Sequence, residues 1–133
     1  YISAHIVAQQ GVRMFVKEIV YTNKEDSEED VIVSDGHYAI KCYMYPVENV
    51  SVNSKIDMIY GFGCTDIMKM QSEKYEVIKL PSYYTYRIYA RVMRKNEKII
   101  CVGGLKIKID AAIPNDICDG DYIKVFVMRF DCG

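Results

Sequence analysis

Two short runs carry the side chains best suited to chemistry by contact. Lys41, Tyr43 and Tyr45 share one face of an alternating segment, and Arg87, Tyr89 and Arg91 share one face of another. Successive side chains of an extended strand point to opposite sides, so residues two apart line one surface. Rings interleaved with cations suit single-stranded nucleic acid, whose bases stack on aromatics at about 1–3 kcal/mol each while cations follow the backbone. Tyr and Arg are also the types enriched at protein–protein contacts. Residue types alone leave both ligands open.

Catalysis finds less support. Ser34, Asp35 and His37 sit in one turn, where neighbours cannot converge as a nucleophile, base and orienting acid must, and no oxyanion element accompanies them. A cysteine nucleophile would need a histidine beside it, and only His5 and His37 exist. Asp116, Asp119 and Asp121 crowd one loop but lack the spacing and terminal Glu of a calcium loop, so they read as turn caps. Gly61-Phe62-Gly63 has neither the third glycine nor the helix of a phosphate cradle and reads as a bulge. The five cysteines, Cys42, Cys64, Cys101, Cys118 and Cys132, are scattered with no Cys-x-x-Cys pair, so no metal is expected. Cys42 and Cys101 fall inside apolar runs, where a free thiol acts as a small hydrophobe, and a reducing intracellular setting is the simpler reading. The expectation is a non-enzymatic protein without cofactor.

The elements that would position the Tyr/Lys and Tyr/Arg faces are strands. Val31–Val33 and His37–Tyr45 flank Ser34-Asp35-Gly36, in which Asp can cap the backbone and Gly accepts positive φ, and Pro46 ends the run. The alternation places Tyr38, Ile40, Cys42 and Met44 toward a core. Tyr83–Arg94 alternates likewise, with Tyr84, Tyr86, Ile88, Ala90 and Val92 inward. Further strands are expected over residues 12–22, 55–60, 75–80, 99–102, 105–110 and 122–130. Residues 66–71 fit either a helical turn or a strand end. Asn23–Asp30 is strongly acidic and reads as a solvated hairpin loop. Lys95–Lys98 and Gly103-Gly104 are reversals, and 113–121 is a loop. No dozen residues show a capped 3.6 period, and no repeat or linker interrupts the chain. Six to eight short strands in one domain over residues 1–133 predict an all-β, small antiparallel barrel with little helix, since closure removes exposed edges.

Composition narrows the partner. Half of the 133 residues are hydrophobic and 26% are charged, as in an ordinary globular chain. No apolar run approaches the ~20 residues of a membrane-spanning helix. The opening Tyr-Ile-Ser-Ala-His lacks both an initiator Met and a charged-then-apolar leader, as at a processed or truncated end. The net charge is −1, with no basic excess of the kind a dedicated duplex binder uses against phosphate.

The Val31-Ile32-Val33-Ser34-Asp35-Gly36 run with its strand to Cys42-Tyr43-Met44, and the closing Tyr122–Phe130 entered by Gly120-Asp121, resemble the OB-fold domains of replication protein A and of shelterin-type telomere adaptors. The resemblance implies an OB-like barrel acting as an interaction module in nucleic-acid maintenance. It would bind a protein partner, the choice the near-neutral charge favours, or single-stranded nucleic acid. Its expected location is nuclear on that resemblance and cytoplasmic otherwise. The alternative is a small intracellular bacterial protein, such as an immunity protein that meets a toxin through the acidic stretch Glu25–Asp30.

Overall fold

β-branched and aromatic residues in period-two runs give strands almost throughout. The computed structural model describes residues 13–23, 28–44, 50–82 and 84–132. Its strands are β1 (Met14–Asn23), β2 (Glu28–Ser34), β3 (Ala39–Met44), β4 (Lys55–Ile56), β5 (Ile59–Phe62) and β6 (Thr65–Met70). They continue with β7 (Glu76–Lys79), β8 (Tyr86–Arg94), β9 (Ile99–Val102), β10 (Leu105–Ile109), β11 (Tyr122–Val127) and β12 (Arg129–Cys132). The only helical element among the described residues is a three-residue 3-10 turn, Lys95–Glu97, closed by Lys98 in the left-handed region. No helix among them is long and apolar enough to cross a membrane. The all-β expectation holds, and of residues 66–71 all but Gln71 belong to β6.

Within the strands the faces fall where alternation puts them; ahead of β8 they do not, since Thr85, expected outward, is buried, and Tyr84, expected inward, is only half-buried. Ile40, Cys42 and Met44 of β3 are buried, as are Tyr86, Ile88, Ala90 and Val92 of β8, while Arg87, Arg91 and Met93 are exposed. These inward rows join Ile59, Ile100, Leu105, Ile107, Ile123 and Phe130 in one core. Burying a side chain of that size contributes about 1.5–3 kcal/mol.

The strands form a single sheet in the order β4-β1-β2-β3-β12-β5-β10-β9-β8-β11-β6, with β7 also on β8. Four expectations change here. The sheet is mixed rather than wholly antiparallel, because β10 runs parallel to β5 and β12 parallel to β3. Its ladder does not close among the described residues: the end strands β4 and β6 do not pair with each other, and β8 forks, with β7 and β9 on one edge and β11 on the other. The expected last strand, Tyr122–Phe130, is two strands. Val125 and Val127 point inward, but the next inward residues are Phe130 and Cys132, so the alternation slips at Met128 and the chain changes neighbours there. The acidic stretch Asn23–Asp30 is not all solvated loop: Glu29 and Asp30 belong to β2 and are buried at 5% and 0% exposure. Asp30 accepts a hydrogen bond from the Tyr84 hydroxyl at 3.0 Å, which a buried carboxylate requires. Residues 24–27 of that stretch lie outside the described residues.

The same Tyr84–Asp30 bond shows that the sheet curls. The start of the β8 hairpin meets β2 although the two are far apart in sheet order, and the Lys41 amide donates to the Tyr86 hydroxyl at 3.0 Å. A second long-range tie comes from the Ser34-Asp35-Gly36 turn. Asp35 Oδ1 accepts from the His37 and Tyr38 amides at 2.8 and 2.7 Å, and Oδ2 accepts from the Gly104 amide at 2.6 Å. The neighbouring Gly103 has φ +58°, and a Cβ there would lie 2.7 Å from the Tyr38 ring; the β9–β10 turn can approach Asp35 only as glycine.

Candidate functional site

The outward row of β8 gains its partner from β11. Tyr122, Lys124 and Phe126 point out from β11 and stand opposite Arg91, Tyr89 and Arg87 in register. Each ring therefore faces a cation across the ladder, and the order reverses at each step. β6 extends the surface, with Met70 opposite Tyr122 and Met68 opposite Lys124. Met68 is 53% exposed. Between β6, β11 and β8 lies a hollow of about 240 Å³ lined by Asp66, Met68, Arg87, Lys124 and Phe126. β7 borders the other side, with Glu76 opposite Tyr89.

Several of the rings already have companions. Lys74 Nζ lies 4.1 Å from the Tyr89 ring centroid and 3.1 Å from Glu76. Tyr122 packs on Tyr75 at 5.6 Å, and Tyr75 meets Tyr38 edge-on at 6.1 Å. Arg91 Nε donates to the Gly120 carbonyl at 3.4 Å. Burial pushes the Tyr75 phenol well above its ordinary range, helped by the Cys101 thiol 3.7 Å away. What stays open toward solvent is the apolar and cationic lower half, around Phe126, Met68, Arg87 and Lys124.

Of the six candidate binding residues, the five that are described fall into two groups. Arg87, Tyr89 and Arg91 belong to the face just described. Lys41 and Tyr43 point out from β3, on the β3–β12–β5 part of the sheet, where Arg129 stands 5.3 Å from the Tyr43 ring and 5.8 Å from Phe62. Arg129 also grips Asp131 through both oxygens at 2.7 and 2.9 Å. Tyr45 lies outside the described residues, as does His5. Lys124, Phe126 and Met68 were missed by sequence reasoning. The alternation of 122–127 marks which of its residues point outward, but nothing local says that β11 lies beside β8.

The carboxylates of the loops are structural. Burial tends to raise the Asp35 pKa, and the backbone donors from Tyr38, His37 and Gly104 outweigh it, leaving the group below the usual carboxylate value. Asp110 is lowered in the same way: burial opposes, and the Gly63 and Cys64 amides, at 2.9 and 3.1 Å, prevail. Asp119 accepts from the Lys95 amide at 2.7 Å, and Asp121 from the Cys118 amide at 2.9 Å, so both act as turn caps. Ser34 Oγ donates to the Tyr38 carbonyl at 2.9 Å, and Asp35 holds backbone rather than imidazole, so the Ser34/Asp35/His37 turn is built as a cap. The described residues contain no group of three His, Cys, Asp or Glu able to hold a metal. Compared with known proteins, the chain matches no family model, no curated protein and no solved structure.

Proposed function

We propose that this chain is a non-enzymatic, OB-like module of a nucleic-acid-maintenance assembly, and that the β6–β11–β8 face docks a protein partner. The observation that carries the reading is the cross-strand lattice of Arg87, Tyr89, Arg91, Tyr122, Lys124 and Phe126 around an open hollow. The curling of the sheet, with β2 and β3 brought against the start of β8, supports the barrel-like part.

Protein is favoured over single-stranded nucleic acid for two reasons. Tyr89 and Tyr122, the rings best placed for base stacking, are engaged by Lys74 and Tyr75. The exposed Met68 beside Phe126 is the adaptable apolar contact that protein interfaces use. A partner with an apolar anchor flanked by carboxylates fits the hollow and its two cations.

The test is capture of partners from the native host by wild type and by Arg87→Ala and Phe126→Ala. Each substitution should cost about 1–3 kcal/mol in affinity for the captured protein, the range for an interface anchor. Oligonucleotides should show no salt-dependent binding at micromolar protein. Measurable affinity for single strands at physiological salt, lost in Phe126→Ala, would replace this reading with the nucleic-acid one.

A further inference from the structure

Among the described residues, no strand pairs with the outer edge of β7 or with the Ala39–Lys41 part of one edge of β3, and Ala39 and Val77 line the same slot. Backbone bonds in an antiparallel ladder alternate between pairs that exchange them and pairs that do not. The Leu80 amide donates to the Thr85 carbonyl at 2.9 Å, one step beyond the Lys79–Tyr86 pair. Ile78 and Glu76 therefore bond to β8, while Val77 and Lys79 turn their N–H and C=O groups away from it. On β3 the Lys41 amide reaches the Tyr86 hydroxyl instead of β2. By the same alternation Ala39 also directs its backbone groups away from β2. β12 covers this edge only further along, at Tyr43, because the chain leaves toward β11 at Met128.

Between the edges lies a slot of about 420 Å³ whose walls include His37, Ala39, Tyr75, Val77, Lys79 and Tyr86. Its lining holds one cation, Lys79, and one acid, Glu76. Glu76 is engaged by Lys74 at 3.1 Å. Lys79 is held to the carbonyls of Leu80 and Ser82. Partial desolvation, and then the nearby Lys41 ammonium, lower the Lys79 pKa, and a carboxylate placed beside Lys79 would favour its charged form. Backbone groups aimed into a slot and a cationic rim are the two features that recruit an extended acidic peptide by strand addition.

We propose that this slot takes an extended segment of a partner protein as an added strand, hydrogen-bonded to the Ala39 and Val77 edges, with a carboxylate of the segment set against Lys79. This contact is separate from the β6–β11–β8 face and does not depend on it.

The experiment is amide hydrogen exchange on the full chain, with eight-residue peptides of alternating Thr and Val carrying Asp, Asn or Lys at the centre. The Asp peptide should slow exchange at Ala39 and Val77 by about tenfold or more at saturation. Affinity should fall in the order Asp, Asn, Lys, by about two- to fivefold per step for an exposed charge contact. Lys79→Glu, an exposed change that should leave the circular dichroism spectrum intact, should reverse that order, and Phe126→Ala should leave it unchanged. The proposal is overturned if no peptide protects these amides, or if Phe126→Ala abolishes the protection. Protection of both amides in the free monomer would mean that the chain fills its own slot. Protection that grows with protein concentration, alongside a dimer in sedimentation, would assign the slot to a second copy. Either result also overturns the proposal.

Discussion

Asp35 is a single carboxylate on which two hairpins depend, since it receives amides from His37 and Tyr38 of one and Gly104 of the other. Asp35→Ala should destabilise the fold by about 1–3 kcal/mol, the cost of leaving such donors unmet, measured by urea unfolding at pH 7. The pH dependence follows from the sign of the shift. Asp35 and Asp110 have folded-state values below their unfolded ones, so their contribution is complete above the unfolded value near pH 4. It is lost as pH falls through the folded values. Asp35→Asn should therefore show a shallower loss of stability than wild type between about pH 4 and pH 2, and equal slopes would contradict the clamp. The thiols also divide by position. Cys118 is exposed, whereas Cys42, Cys64, Cys101 and Cys132 are buried. Cys64 is pushed up to about 12, first by burial and then by the Asp110 carboxylate. One thiol of the five should react with a disulfide reagent in the native protein, and the other four only on unfolding. The Asp35 cap was readable from Ser34-Asp35-Gly36 alone, because an Asx turn is local chemistry. Its reach to Gly104 was not, since nothing near Asp35 in the chain points to residues 103–104.

At the scale of strands, alternation was enough to sort inside from outside. Ile88 is fully buried, and Ile88→Ala should cost about 2–5 kcal/mol through lost contacts and a cavity; a change near zero would mean that β8 faces the other way. Tyr86→Phe isolates a subtler contribution. The ring stays packed against Phe130, 5.4 Å away, while the Lys41 amide loses its acceptor, so a loss of about 0.5–1.5 kcal/mol in chemical denaturation is expected. Strand pairing was far less readable than strand existence. The parallel joins of β10 to β5 and β12 to β3 link distant parts of the chain, and local periodicity carries no record of them. That is why Arg87 and Tyr89 could be picked out while Lys124 and Phe126, opposite them in register, could not. The break at Met128 did leave a mark, the three-residue step from Val127 to Phe130 where a strand requires two.

For the molecule as a whole, β12 is the link between its halves, because it stands between β3 and β5 in the sheet and contributes the fully buried Phe130. Removing residues 129–133 should abolish the cooperative thermal transition seen by circular dichroism, whereas survival of that transition would show that the two halves hold together without it. The strands it joins are distant in sequence, so refolding in the millisecond-to-second range typical of sheet proteins is expected. During synthesis this distance becomes a waiting time. About 85 residues separate the end of β3 from the start of β12, and ribosomes add roughly 5–20 residues per second. The facing edge of β3 therefore waits roughly 4–17 s for its neighbour, a window in which a nascent chain with an apolar face exposed is a natural client for a ribosome-bound chaperone.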